Sequence, residues 1–259
     1  MNPMPHACDL SPTRYLDRLA ERRGSACPLN FLSMGGSDAS PACLDRFRFV
    51  VVVEFVRLYL WSECRRFVRR RKEGRLRQHL WKGPVDNYEV TDGTISCKAG
   101  KGGTIFTTAE YSDFVVRLEF KVPSGGNNGL AIRYPGQGDT AYVGMCELQV
   151  LDDNYDKVKG KLDPRQVHGS AYGMVAAKRG FQKPNGEWNV QEVTVKGSTI
   201  KVVLNGTAIL DCDLKDVKEF MANSPHPGKD RTKGHFGFAG HGDAVVFRNV
   251  RIKDLSEKK

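Results

Sequence analysis

The sequence predicts an all-β sandwich of two antiparallel sheets, and three features predict it. First, Phe114, Val116, Leu118, Phe120 and Val122 share one strand face, while Arg117, Glu119 and Lys121 occupy the other. Second, Asn205-Gly206 sits between the apolar runs 202–204 and 208–211, the strongest short-range hairpin signal. Third, from Trp81 onward strand-like runs of roughly six to ten residues follow one another, punctuated by Gly, Pro, Asn and Asp clusters. Evenly spaced short strands with little helical periodicity point to a sandwich or jelly roll.

The individual elements follow from the same pattern. Strands are expected at 88–90 and 94–97 around the Asp92-Gly93 turn, and at 104–107 after a glycine-rich turn. The 113–122 strand comes next. Two further strands fall within 125–153: Leu130, Ile132 and Tyr134 alternate with Ala131 and Arg133, then Cys146, Leu148 and Val150 alternate with Met145, Glu147 and Gln149. Strands at 187–196 and 199–204 flank Gly197-Ser198, and 235–239 and 244–252 flank Gly240-His241-Gly242-Asp243. One short helix is expected at 214–222, with Asp213 as its N-cap. The 152–172 stretch reads as a long polar loop, which in a compact domain is more often functional than idle.

The alternation of 125–153 places Glu147 and Gln149 on one face, with the Arg133 guanidinium near them. A carboxylate, a carboxamide and a cation side by side describe the floor of a cleft that holds something polar.

Composition bounds the rest. With 259 residues, 40% hydrophobic content, 27 glycines and 12 prolines, the chain is globular and turn-rich, with room for one large β domain or two small ones. The longest apolar stretch, 47–61, is interrupted by Arg48, Glu54 and Arg57, so no transmembrane segment is expected. Net charge is +10, but residues 1–80 carry 15 basic against 8 acidic side chains, and 14 of those 15 are Arg. The nearly balanced remainder predicts no nucleic acid partner for the folded domain. Cys97, Cys146 and Cys212 show no zinc-like spacing, and Cys146 reads as a buried thiol. Residues 1–74 are read as an unassigned basic leader: disordered, partly helical, or a misassigned start. The domain is expected over 75–255, with a tail at 256–259.

Six blocks, GGNNGLAIR, MCELQVLDD, HGSAYGMVAAKRG, PNGEWN, VVLNGT and GHFGFAGHGDAVVFRNVRI, occur in that order from about Trp81 to Leu255. Together they resemble the 3-keto-disaccharide hydrolase family, also described as 3-keto-glucoside 1,2-lyase/2-hydroxy-3-keto-glucal hydratase-like. The resemblance implies a concanavalin A-like jelly-roll sandwich with its site on the concave face, a small-molecule or oligosaccharide substrate, and a periplasmic or extracellular location, although no intact signal peptide is visible. It departs from the family at the front, where the usual opening strand is missing before Trp81, leaving an unpaired sheet edge as an expectation.

What the resemblance implies chemically is cleavage of 3-keto glycosides by enolisation and elimination, followed by hydration. Such chemistry needs a base and a group that stabilises an oxyanion. Glu147, His168 and Asp152 are the candidate bases. Arg133, Lys178 and His241 are the candidate charge stabilisers, with Asn128 and Gln149 as further substrate-binding residues. No cofactor is expected; a divalent metal would suit a ketone substrate, but Asp152, Asp153, Asp156 and the scattered histidines match no standard ligand spacing. Two alternatives use the same face: a retaining glucanase-type hydrolase, with Glu147 and Asp152 as paired carboxylates, or a non-catalytic lectin-like module.

Overall fold

The computed structural model describes residues 65–66 and 80–256, all within the unit Val53–Lys259. In chain order the strands are β1 (Arg65–Arg66), β2 (Trp81–Lys82), β3 (Tyr88–Thr91), β4 (Thr94–Cys97), β5 (Gly103–Tyr111), β6 (Phe114–Lys121) and β7 (Asn127–Tyr134). A four-residue helix α1 (Thr140–Val143) precedes β8 (Cys146–Leu151), and α2 (Tyr155–Val158) follows it. β9 (Asn189–Lys196), β10 (Thr199–Leu204), β11 (Thr207–Asp213), β12 (Gly234–Gly240) and β13 (Val246–Asp254) complete the set.

These strands form two antiparallel sheets, as the alternation predicted. One runs β11-β10-β9-β6-β13-β4-β3, with β1 also paired to β13; the other runs β2-β5-β12-β7-β8. The hairpin at Asn205-Gly206 forms, and Asn205 takes φ +50° while its Oδ1 accepts from Val190 N. Arg65 and Arg66 pair with Ile252 and Arg251, so β13 gains a backbone partner from the segment read as a leader. The rest of residues 1–74 and the end of the tail lie outside the described residues.

The core lies between the sheets. Phe114 and Phe120 from β6, Phe236 and Phe238 from β12, and Phe247 from β13 are fully buried, and Phe238 stacks on Phe247 with ring centroids 4.2 Å apart. Each such side chain contributes about 1.5–3 kcal/mol of burial. Cys146 and Leu148 join this interior from β8, and burial pushes the Cys146 thiol well above its usual range.

The helix expected at 214–222 forms only as two 3-10 turns, Leu214–Asp216 and Met221–Asn223. Asp213 does cap the first, accepting from Lys215 N at 3.0 Å. Ala222 and Asn223 then adopt φ +52° and +54°, which no right-handed helix accommodates.

β8 ends the five-stranded sheet, yet its outer edge is not bare. The 167–175 segment lies along it: Gly169 N donates to Gln149 O, Gln149 N to Ser170 O and Tyr172 N to Glu147 O, all at 2.8–3.0 Å. The long polar loop is therefore stitched to the strand that carries the candidate carboxylate.

Candidate active site

Pairing in β7 and β8 decides which side chains leave the core. Gly129 opposes Gln149, Ala131 opposes Glu147 and Asn127 opposes Leu151. With Leu130, Leu148 and Val150 filling the interior, these pairs face away from it. Asn127, Glu147, Gln149 and Leu151 from these pairs floor a hollow of about 310 Å³. Glu147 and Gln149 project into it as the alternation predicted, and His241 reaches it from the turn after β12.

Glu147 is almost wholly buried, and His241 is about half exposed; His241 Nε2 lies 3.4 Å from Glu147 Oε1. The reach depends on Gly129, because a Cβ there would sit 2.0 Å from Glu147 Oε1 and 2.4 Å from Cδ. The carboxylate thus lies across the strand in the space a side chain at 129 would fill. The hydrogen bond with Glu147 raises the His241 pKa above the ordinary imidazole value, outweighing burial, which lowers it. In the Gly240-His241-Gly242 turn the left-handed residue is Gly242, at φ +87°, rather than the histidine.

Gln149 Nε2 donates to Asn127 Oδ1 at 2.6 Å, which fixes the carboxamide beside Glu147. Loops supply the walls. Asp139 caps α1 by accepting from Ala141 N at 3.0 Å, and that helix carries Tyr142 to the rim. Asp163 and Gln166 form a capping box, and Gln166 Nε2 then donates to the Tyr172 hydroxyl at 3.2 Å. Tyr155 on α2 and Leu162 close the remaining side.

The other candidates lie elsewhere, each for a local reason. Asn128 is one residue out of phase: it is fully buried, and its Oδ1 accepts from Gly129 N. Asn127 is the asparagine that enters the hollow. Arg133 leaves the outward row because β7 bulges. The β12 partner steps from Ala131 at Gly237 to Tyr134 at His235, so Ile132 and Arg133 together oppose Phe236. Ala131 and Tyr134 consequently share a face against Phe106. Arg133, at φ +48° and 1% exposed, donates to the carbonyls of Ser112, Gly197 and Arg231 and pairs with Asp113 at 3.1 Å. A Cβ at Gly234 would come within 2.5 Å of the Arg133 backbone, so the bulge also needs glycine opposite it.

Asp152 is buried with both oxygens taken, Oδ2 by Gly125 N at 2.8 Å and Oδ1 by Asn154 N at 3.0 Å. It lines a separate surface hollow of about 570 Å³ with Arg179 and Lys183, so it and Glu147 do not flank one cavity. Lys178 is exposed, and its backbone N–H pairs with Ile209 O. Trp188 is neither core nor cleft wall; Lys121 and Arg248 lie over its ring, 4.6 and 3.8 Å from the centroid.

His168 lies between the sheets, its ring 5.0 Å from that of Phe120, with Nδ1 accepting from Leu151 N at 3.3 Å. Burial lowers its pKa from 6.5 to about 4, and the Gln191 side chain opposes this only in part. Below pH 6.5 the unfolded chain takes up a proton that the folded chain refuses until about pH 4. The stability present above 6.5 is therefore lost across that window, by about 3 kcal/mol. Urea midpoints between pH 7 and 4 should show this slope, and His168→Gln should flatten it; equal slopes in the two proteins would show that another group titrates.

Among the described residues, no three His, Cys, Asp or Glu side chains cluster as metal ligands, and no helix is long and apolar enough to cross a membrane.

Two antiparallel sheets around one core, with a carboxylate–imidazole pair on the outward face of the smaller sheet, define a jelly-roll sandwich with a single-sided site. The chain belongs to the 3-keto-alpha-glucoside-1,2-lyase-like domain family, whose model matches residues 72–253. A curated relative from Bacteroides thetaiotaomicron, named 3-keto-disaccharide hydrolase, is 30% identical over 185 residues, 60% of this chain and 63% of that protein. The chain thus spans a little under two thirds of that relative's length. Two solved structures from Parabacteroides distasonis, both provisionally named glycosyl hydrolases, share the fold. One has a TM-score of 0.60 at 28% identity, covering 71% of this chain and all of that one. The other has a TM-score of 0.58 at 27% identity, covering 68% and 89%.

Proposed function

We propose that this domain cleaves the glycosidic bond of 3-keto glycosides by enolisation, elimination and rehydration. The observation that carries the proposal is the Glu147–His241 pair, set side by side in one polar hollow. A ketone at sugar carbon 3 acidifies the hydrogen on carbon 2. Glu147 takes that proton, and the electron pair becomes an enolate with its charge on the ketone oxygen. Collapse of the enolate forms the carbon 1–carbon 2 double bond and expels the glycosidic oxygen, which His241 protonates. The Glu147 proton then resets His241 across the short gap between them, and water adds at carbon 1, giving net hydrolysis.

The test compares 3-keto-trehalose with trehalose. Sugar release is expected from the keto substrate alone. Binding of both without turnover would indicate a lectin-like module. Comparable cleavage of plain trehalose would point to a carboxylate pair, with Asp139 as the second acid of the hollow.

The imidazolium role also fixes the alkaline side of the pH profile. The raised pKa keeps His241 protonated to higher pH than an ordinary histidine, so kcat/KM should hold to higher pH than an unperturbed imidazole would allow and fall as pH rises through the raised value. His241→Gln should lower kcat/KM and remove that alkaline fall; an unchanged profile would take the proton-donor role from His241.

A further inference from the structure

We propose that the Tyr142 hydroxyl is the hydrogen-bond donor that holds the ketone oxygen as it becomes an oxyanion, an inference that rests on the function proposed above. The need for such a donor follows from the lining: neither Lys nor Arg borders the hollow, and its one imidazole is engaged with Glu147. Arg133 and Lys178, the cations expected there, lie elsewhere. The developing charge must be met by neutral donors.

Three phenols border the hollow, Tyr142, Tyr155 and Tyr172. Tyr172 accepts the Gln166 carboxamide on its oxygen, which ties that hydroxyl to the loop wall although its own hydrogen stays available. Tyr155 rides on the first turn of α2, beyond β8. Tyr142 stands apart because the protein fixes its ring and leaves its hydroxyl free. The ring lies 4.9 Å from that of His226 and edge-on to that of Tyr172 at 6.4 Å. His226 is itself pressed against Phe220, at 5.2 Å, so the ring is braced from behind.

The helix beneath is pinned as well. All three carbonyls that end α1 are taken by one segment: Ala141 O by His226 Nδ1 at 3.0 Å, Tyr142 O by Gly228 N at 3.0 Å and Val143 O by Arg231 Nε at 2.6 Å. Burial lowers the His226 pKa, which keeps the ring neutral with Nδ1–H as the donor to Ala141 O. By contrast, the Tyr142 hydroxyl makes no hydrogen bond to any described residue. A rigid ring with an unspent O–H meets the requirement for a preorganised oxyanion donor.

Its acidity fits the task. Burial raises the Tyr142 pKa, and Tyr172, Asp139 and Glu147 add to the shift. The phenol therefore keeps its proton, and it donates without surrendering it. No atom is transferred by Tyr142: the C2 proton goes to Glu147, and the hydrogen bond strengthens as negative charge accumulates on the ketone oxygen.

Tyr142→Phe removes the hydroxyl and keeps the ring, and because no protein group depends on that hydroxyl, the fold should be retained with an unchanged melting temperature. With 3-keto-trehalose, kcat should fall roughly 10²–10³-fold while KM changes little. A second readout isolates the enolisation step: exchange of the carbon 2 hydrogen of 3-keto-1,5-anhydroglucitol in heavy water, a ligand with no leaving group, should slow by a similar factor. Wild-type cleavage matched by Tyr142→Phe would reduce Tyr142 to a wall residue and leave the proposed function intact. A raised KM with unchanged kcat would likewise overturn the oxyanion role, in favour of a hydrogen bond made equally to the bound sugar before reaction. A wild-type chain that leaves both keto sugars untouched would overturn the function and this inference together.

Discussion

Arg133→Met is expected to cost the domain about 3–5 kcal/mol of stability while leaving the chemistry of each folded molecule intact. The guanidinium is 1% exposed and ties three otherwise separate pieces of chain to β7, through Ser112 O and the adjacent Asp113 carboxylate, Gly197 O and Arg231 O. Removing it strands three carbonyls that lose their donors at once. Asp113, about one third exposed, keeps some water, so the carbonyls bear most of the loss. Burial lowers the Arg133 pKa and Asp113 pulls it back, as befits a charge held indoors by its partners. Arg133→Lys should recover only part of the loss, because one ammonium cannot span acceptors arranged for a planar fork. Urea denaturation measures the cost. A variant that stays fully stable but loses sugar cleavage would return Arg133 to the active site.

Glu147→Gln should abolish most turnover of a 3-keto glycoside, by roughly 10²–10⁴-fold, the usual worth of a positioned general base. The change is nearly isosteric, so the melting temperature should hold. Gly129→Ala makes the sharper companion. It retains the carboxylate, and the strand backbone there accepts alanine, but a methyl would occupy the place of Glu147 Oε1 and Cδ. The side chain must swing away, and a displacement of about 1 Å in a catalytic group can cost on the order of 10²-fold. Both variants should also lose the perturbation of His241, whose raised pKa derives first from its hydrogen bond with Glu147. Imidazole titration by NMR would report that separately from activity. Wild-type turnover in both variants would remove Glu147 from the mechanism.

Much of this arrangement was legible in the sequence. Strict alternation placed Glu147 and Gln149 together on the outward face, and the hairpin signals located β9–β11 to within a residue or two. Glycine flanks marked His241 as a turn residue whose side chain could reach over a sheet. The failures are equally physical. Alternation has no origin of its own, so an asparagine pair leaves open which member faces outward; the phase came from Leu130 and Leu148, and it selects Asn127 over Asn128. Arg133 was misplaced because one inserted residue in β7 reverses the phase beyond Ile132, and a bulge carries no periodic signature of its own. His168 was read as a loop residue near a site. Its loop does reach the site, through Gln166 and Tyr172, but its own ring turns inward onto Phe120. Tyr142 belongs to a four-residue helix too short to show a period, and its position is dictated by carbonyl contacts with residues more than eighty positions later.

The loop stitched along β8 has one more consequence. A terminal strand with open amides invites another copy of the chain to extend the sheet. Here Gly169, Ser170 and Tyr172 occupy those amides and carbonyls first, acting as a built-in guard against runaway intermolecular pairing. Because the same loop carries Tyr172 into the hollow, colloidal behaviour and the proposed activity share a single fastening: damage that frees the loop would spoil the site and make the protein sticky in one event.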